Sequence, residues 1–383
     1  MNNSDIKGQK NVTNQPKNTI SRRHFIHTTT AGITATILHS TIPANAQNTD
    51  TPPKVIRWGF VGTGSIANAM ARAAKNAPNA TFVASSSRTL KKAEDFVTKY
   101  KGSKAFDSWA EMCQWDGIDA VYVATPTFVK EEITIAAAKA GKHVLVEKPL
   151  ASLESLNRML KACRENNVAF MDGTQFSHHP RSIELGSKLD EIVGKRRNIH
   201  SVFQFNISNK SNIRMSPKQE PMGVIGDAGW YNMRAIVEYI DSDAILQSAS
   251  TFIRRDEETQ AVIGATGVIN FDDGSSSTWS CAFDAGMSRN NAHVDGKKGT
   301  VEIPGFIQHD RDNSASYTFS SRKDKSKQTQ IPAPLPDSAL LFENFASQVH
   351  DPSLRNKWEM KSIQTQKLLD AVWVSAISNE KTK

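Results

Sequence analysis

From residue 55 to residue 171 the chain repeats one pattern, a short apolar run followed by a turn and a longer helical run. Segments 55–61, 81–85, 120–124, 143–146 and 169–171 read as strands. Segments 65–75, 90–100, 131–140 and 152–166 read as the helices between them. Strands that alternate with helices are joined by crossover connections, and crossovers give a parallel sheet covered on both faces. The prediction is an α/β doubly wound parallel sheet of the Rossmann type. In that architecture ligands bind at the carboxyl ends of the strands.

The first strand runs into Gly62-Thr63-Gly64-Ser65-Ile66-Ala67, a G-x-G-x-x-A string between a strand and a helix. The first glycine permits the tight turn. The second lets the backbone approach a pyrophosphate, and the small Ala67 lets helix and strand pack closely. The loop, residues 62–66, is therefore a candidate dinucleotide cradle. An NAD site usually carries an acid at the end of the second strand, for the ribose hydroxyls. Here the stretch is Ser85-Ser86-Ser87-Arg88. Ser87 and Arg88 suit a 2′-phosphate, because a guanidinium donates two hydrogen bonds to it. NADP(H) is expected, with NAD(H) possible.

The amino terminus carries a different signal. Polar residues precede Ser21-Arg22-Arg23-His24-Phe25-Ile26, an uncharged stretch covers 28–42, and Pro43-Ala44-Asn45-Ala46 follows. A basic region, a short apolar region and a small-x-small site make a signal peptide. The paired arginines resemble a twin-arginine export signal. Cleavage is expected after Ala46, leaving 337 of the 383 residues. Lys7, Lys10, Lys17, Arg22 and Arg23 against Asp5 put +4 on the leader, so the formal +8 of the chain leaves +4 on the remainder (8 − 4). That removes most of the case for nucleic-acid binding, and no apolar run has the length of a membrane span. Cys113, Cys163 and Cys281 are far apart, which argues against a zinc ribbon or a disulfide framework. No metal is expected.

Downstream of the glycine loop come Val123-Ala124-Thr125-Pro126 and Gly141-Lys142-His143-Val144-Leu145-Val146-Glu147-Lys148-Pro149. With that loop they resemble the glucose–fructose oxidoreductase/inositol dehydrogenase (Gfo/Idh/MocA) family, whose mark is Glu-Lys-Pro at the end of the fifth strand. Gly226-Asp227-Ala228-Gly229-Trp230-Tyr231 is similar to its second mark, Asp-x-Gly-x-(Tyr or His) at the start of a helix. The resemblance implies that Lys148, Asp227 and Tyr231 are catalytic and meet over the nicotinamide. It implies that Thr125, Pro126, Glu147 and Lys148 border the cofactor. Pro149 disfavours a helical conformation at Lys148, which keeps that side chain aimed. Asn212-Ile213-Arg214, and 171–176 with His178, His179 and Pro180, are closest to a dihydrodiol-dehydrogenase-like subgroup. In its relatives a side chain of the second stretch often faces the substrate. One departure stands out: where the family often has Asn-x-x-His, this chain has Thr127-Phe128-Val129-Lys130.

The resulting organisation is a signal peptide over 1–46, a linker over 47–53, a Rossmann NAD(P)-binding domain over 54–175, and an α+β substrate and oligomerisation domain over 176–383. In the last part, 201–206, 248–254, 261–271, 276–283, 291–294 and 300–303 read as strands of a large open antiparallel sheet. Asp272-Asp273-Gly274 and Asp295-Gly296-Lys297 read as hairpin turns. A final helix over 362–378 is expected to return towards the first domain. The resemblance implies a homodimer or homotetramer.

The expected chemistry is hydride transfer between a sugar, or a related polyol, and a tightly held nicotinamide. Tyr231 is a candidate acid/base, with the Lys148 ammonium favouring its ionised form. Asp227 would orient Lys148 or bind a substrate hydroxyl. A chain exported through the twin-arginine machinery to the periplasm meets no nicotinamide pool, so one sugar would be oxidised while another is reduced. Two other readings stay open: a redox glycosidase, and a non-catalytic ligand-binding relative.

Overall fold

The computed structural model describes residues 54–240 and 243–381; the leader and linker assigned above lie outside the described residues. The first half is β1 (Ile56–Val61), α1 (Ser65–Asn76), β2 (Ala80–Ser86), α2 (Leu90–Tyr100), β3 (Lys104–Phe106), α3 (Trp109–Gln114), β4 (Ala120–Val123), α4 (Lys130–Lys139), β5 (His143–Val146), α5 (Leu153–Glu165) and β6 (Phe170–Asp172). Its six strands form one sheet in the order β3-β2-β1-β4-β5-β6, every pair parallel. The order reverses between β1 and β4, so the crevice opens beyond the ends of those two strands. Strand β3 and helix α3 were not expected. Three residues, Lys-Ala-Phe, are too few to show a period, and their pairing with β2 is decided by the sheet.

The central strands are buried on both faces, as crossover helices require: β4 is buried throughout and β1 everywhere except Arg57. One face carries α3, α4 and α5. On the other, Trp58 and Phe60 of β1 pack with α1, α2 and α8 (Asp337–His350). The Trp58 ring lies 5.0 Å from Phe342 and 4.8 Å from Phe345. A helix nearly 300 residues downstream thus completes the core of the first sheet, which the local pattern does not foretell.

The second half contains α6 (Pro180–Val193), β7 (Arg196–Asn206), α7 (Trp230–Tyr239), β8 (Leu246–Arg255), β9 (Val262–Phe271), β10 (Ser276–Ala282), β11 (Asp284–Gly296), β12 (Thr300–Ile303), β13 (Ala315–Ser320), β14 (Lys327–Ile331), α8 and α9 (Arg355–Lys381). Its eight strands are ordered β14-β13-β12-β11-β7-β10-β9-β8. The sheet is not purely antiparallel as expected: β10 runs parallel to β7, because β7 is inserted between β10 and β11. One face packs on α6, α7 and α9, and alternate side chains point away on the other. Helix α9 starts at Arg355, earlier than expected, and does return to the first sheet. Asp370 accepts the Leu153 backbone N–H at the start of α5 at 2.7 Å, while Ser375 accepts the Thr251 N–H of β8 at 3.0 Å. Among the described residues no helix is long and apolar enough to cross a membrane.

Candidate active site

The loop after β1 is held in the geometry the glycines require. Gly62 has φ +103°, and a Cβ there would sit 2.5 Å from the Ala124 carbonyl oxygen. A side chain at Gly64, by contrast, would meet nothing within 4 Å. Gly64 therefore faces open space at the amino end of α1, where no side chain caps the first turn. Its free amides and the helix dipole suit an anion. Asn68 pins the loop by donating to the Thr63 and Gly64 carbonyls at 3.1 and 2.9 Å. Ala67 is fully buried against the sheet.

The loop borders a cleft of about 1290 Å³. Gly62, Thr63, Gly64, Ser65, Ile66, Ser87, Arg88, Thr125, Pro126, Glu147 and Lys148 all line it. Two hydroxyls there, Ser86 Oγ and Thr125 Oγ1, are buried without a hydrogen-bond partner. A buried unpartnered hydroxyl is costly unless a ligand satisfies it. Arg88 is exposed at the far end with Lys92 and Lys99. The amide-rich loop, the orphan hydroxyls and the basic far end fit a nicotinamide dinucleotide.

At the other end of the cleft, β5 and the start of α7 bring together the three residues expected there. Lys148 follows β5, and its peptide bond to Pro149 is cis. Asp227 lies in a single π-turn, Ile225–Gly229, that leads into α7. Lys148 Nζ donates to Asp227 Oδ1 at 2.5 Å, and Arg214 Nε donates to Asp227 Oδ2 at 2.7 Å. Both carboxylate oxygens are thus engaged by a cation, so Asp227 orients Lys148 and Arg214, and a substrate hydroxyl would have to share one of those oxygens. Lys148 Nζ stands 4.8 Å from the centre of the Tyr231 ring. The Tyr231 hydroxyl donates to Gln175 Oε1 at 3.3 Å, and Gln175 Nε2 donates to Glu147 Oε1 at 3.4 Å. Tyr122 caps this row by donating to the same Glu147 oxygen at 2.6 Å.

These contacts fix the charges. Burial would raise the Asp227 carboxyl, but the Lys148 ammonium and Arg214 guanidinium overcome it and hold it well below the usual carboxylate range. Burial would lower the Lys148 ammonium, but the Asp227 carboxylate holds it above its ordinary value. Burial pushes the Tyr231 phenol up to about 12, and the nearby ammonium offsets this only in part. Burial thus opposes the expected ionised tyrosine, and the ammonium beside it does not bring the phenol below its ordinary value. Burial likewise raises the Glu147 carboxyl.

Four neighbours lie in stretches the sequence reading named without giving them individual roles. Arg214 stands 13 residues before Asp227, and Gln175 bridges Tyr231 to Glu147. Thr127 Oγ1 donates to Glu220 Oε2 at 2.7 Å, and Lys130 Nζ donates to the Pro149 carbonyl at 2.8 Å. The last pair shows what replaces the Asn-x-x-His pattern: Lys130, lowered by burial to about 8, braces the segment that carries Lys148. His178 and His179 do not face the cleft. His178 is stacked 4.3 Å from Trp358, and His179 accepts the Arg181 N–H at 3.0 Å, capping α6.

A dinucleotide cradle that ends on a buried Lys–Asp–Tyr group defines a nicotinamide-dependent oxidoreductase acting on CH–OH groups. Residues 56–174 match the family described as "Oxidoreductase family, NAD-binding Rossmann fold". The chain is 26% identical over 340 residues to the dTDP-3,4-didehydro-2,6-dideoxy-alpha-D-glucose 3-reductase of Actinomadura kijaniata, covering 87% of this chain and 97% of that one. Among solved structures, KijD10, a 3-ketoreductase from the same organism in complex with NADP and TDP-benzene, superposes with a TM-score of 0.77 at 24% identity over 84% of this chain and 98% of that one. An aldose-aldose oxidoreductase from Caulobacter crescentus, complexed with glycerol, also reaches a TM-score of 0.77, at 18% identity over 85% of this chain and 98% of that one. Residues 56–174 belong to the Gfo/Idh/MocA oxidoreductase family, and the similarity to a sugar reductase runs over most of the chain.

Proposed function

We propose that this chain is an exported, NADP(H)-dependent oxidoreductase that oxidises one sugar or related polyol while reducing another, with no net use of nicotinamide. The observation that carries the reading is the Lys148–Asp227–Arg214 array set beside Tyr231 at the inner end of the cleft. When bound, the nicotinamide supplies the hydride acceptor or donor. The residues supply the rest.

An ammonium has three N–H groups. Asp227 takes one through Oδ1 and a second, longer one at 3.3 Å through its backbone carbonyl. One N–H of Lys148 is left for a substrate oxygen. Tyr231, held as a neutral phenol, donates its proton to that oxygen in the reducing direction and recovers it in the oxidising one. Gln175 fixes the direction of its hydroxyl. Asp227 keeps Lys148 charged and in place, so it is a positioning residue. At the outer end, Gly62, Gly64 and Ser65 would hold the pyrophosphate, Ser86 and Thr125 would satisfy polar atoms of the dinucleotide, and Ser87 with Arg88 would take a 2′-phosphate.

Export is supported by the paired arginines at 22 and 23 and the small residues up to Ala46. A closed cycle follows from export, because nicotinamide is not replenished outside the cytoplasm. One relative is a sugar 3-reductase and the fold is shared with an aldose–aldose oxidoreductase, which supports a reading with both half-reactions.

The test is to purify the full chain, identify any nucleotide released on denaturation, and then supply pairs of sugars without added nucleotide. Formation of an oxidised and a reduced sugar in equal amounts supports the proposal. A strict requirement for added nucleotide at stoichiometric level refutes the closed cycle.

A further inference from the structure

The outer face of the second sheet, turned away from α6, α7 and α9, carries a compact group of ligating side chains. Strands alternate their side chains, so Ile199, Ala292 and Val294 enter the core while His200, His293 and Asp295 stand on the other face. His200 of β7 is paired directly with His293 of β11, and Asp295 is the next residue of β11 on that face. One ligand atom from each, an imidazole nitrogen of either histidine and a carboxylate oxygen of Asp295, lies within 4.8 Å of the others. The two imidazole rings have centroids 4.4 Å apart.

The flanking strands orient the group. Thr278 of β10 is paired with His200, and its hydroxyl hydrogen-bonds to His200 Nδ1. That contact leaves Nε2 turned towards Asp295, with His200 Nε2 and Asp295 Oδ2 3.3 Å apart. Thr300 of β12 donates to Asp295 Oδ1 at 2.6 Å, which leaves Oδ2 as the inward oxygen. Hydrogen bonds to the outer atoms of ligating histidines and carboxylates fix their orientation at metal sites, and these two hydroxyls stand where such bonds are made. A simple His–Asp ion pair accounts for two members only. The half-buried His293 ring, with Glu302 of β12 as its other cross-strand neighbour, makes no hydrogen bond among the described residues, and a metal ion at the focus gives it a partner.

We infer that His200 Nε2, His293 and Asp295 Oδ2 form a binding site for a divalent transition-metal ion, with zinc the best match. Two imidazoles and one carboxylate suit Zn²⁺, and the fourth position opens to the solvent face for a water molecule. The site lies across the sheet from Tyr231, whose ring packs edge-on against Phe203 on the inner face. It is a surface site, separate from hydride transfer.

The test uses the untagged full chain, stripped by chelator and titrated with Zn²⁺ by calorimetry and with Co²⁺ by visible absorption. About one ion per chain is expected, with the strong visible bands of four-coordinate cobalt. His293→Ala and Asp295→Asn are each expected to weaken binding at least tenfold, and Thr278→Val to weaken it less, all with unchanged circular dichroism. His293→Ala and Asp295→Asn remove different ligands, so one misfolded variant leaves the other to decide. No saturable binding by the wild type, or equal affinity in a folded His293→Ala variant, overturns the inference.

Discussion

Replacing Asp227 with Asn tests the central ion pair without changing side-chain size. The substitution removes the one anion held between Lys148 Nζ at 2.5 Å and Arg214 Nε at 2.7 Å. The Lys148 and Asp227 side chains are only 9% and 12% exposed, so solvent does little to compensate. Removing one partner of a buried pair costs about 3–5 kcal/mol. The lower end applies here, because Asn keeps an oxygen acceptor and the Arg214 side chain, 39% exposed, can turn to water. That is a stability cost; separately, a Lys148 no longer held charged and in place should lower kcat by roughly 100-fold, about 3 kcal/mol of transition-state stabilisation. The same change lowers the melting temperature by several degrees, and that difference depends on pH in a defined way. The folded Asp227 carboxyl lies below its unfolded value, so its stabilisation is present above about pH 3.9 and fades as pH falls below it. Melting curves of wild type and Asp227→Asn should therefore be well separated at pH 7 and converge as the medium is acidified below pH 4. Lys148 adds nothing to that acid limb, since its raised value moves its own effect above pH 10.5. A separation that is constant from pH 7 to pH 3, or a variant with wild-type kcat, would refute the assignment of Asp227 as the group that holds Lys148 charged.

Tyr231→Phe removes the proposed proton donor and leaves the ring packing in place. Turnover should drop by about 100-fold or more, with nucleotide affinity by fluorescence titration nearly unchanged. Arg88→Ala should cost NADP(H) about 1.5–3 kcal/mol of binding, a factor of roughly 10–100, and leave NAD(H) almost untouched; an equal loss for both would remove the 2′-phosphate assignment. Phe342→Ala opens a cavity beside Trp58 in the core that α8 completes. It should destabilise by about 3–5 kcal/mol in denaturant titration.

The parts of this fold that were legible are those whose signal is local. The glycine loop sits where strand chemistry meets helix chemistry, so its position could be read from residues 55–75 alone. Lys148 is marked by its neighbours Glu147 and Pro149. Strand β3 is too short to carry a period, and α8 belongs to the first sheet although it follows the second in sequence. The parallel β7–β10 pair escaped notice for a similar reason. Residues 276–282 have the pattern of any half-buried strand, and only the sheet as a whole decides the direction of the partner. For the ionisation of Tyr231, sequence shows that a lysine is near but not how deep the phenol lies. Burial, the larger effect, is a property of the assembled site.

Arg214 shows what spacing leaves out. It lies in a short turn, Ile213–Met215, thirteen residues before Asp227, and no helical or strand period connects them. Yet it supplies the second cation on Asp227, and this changes what the acid can do. With Lys148 alone, Asp227 would keep an oxygen free for a substrate hydroxyl. With Arg214 on the other oxygen, each oxygen already accepts from a cation, and a substrate hydroxyl would share an oxygen with Lys148 or Arg214. The turn that carries Arg214 also lines the cleft. A substrate that displaced Arg214 would release one oxygen of Asp227 and weaken the field on Lys148 together. Substrate fit and the charge of the reacting lysine are coupled through one carboxylate.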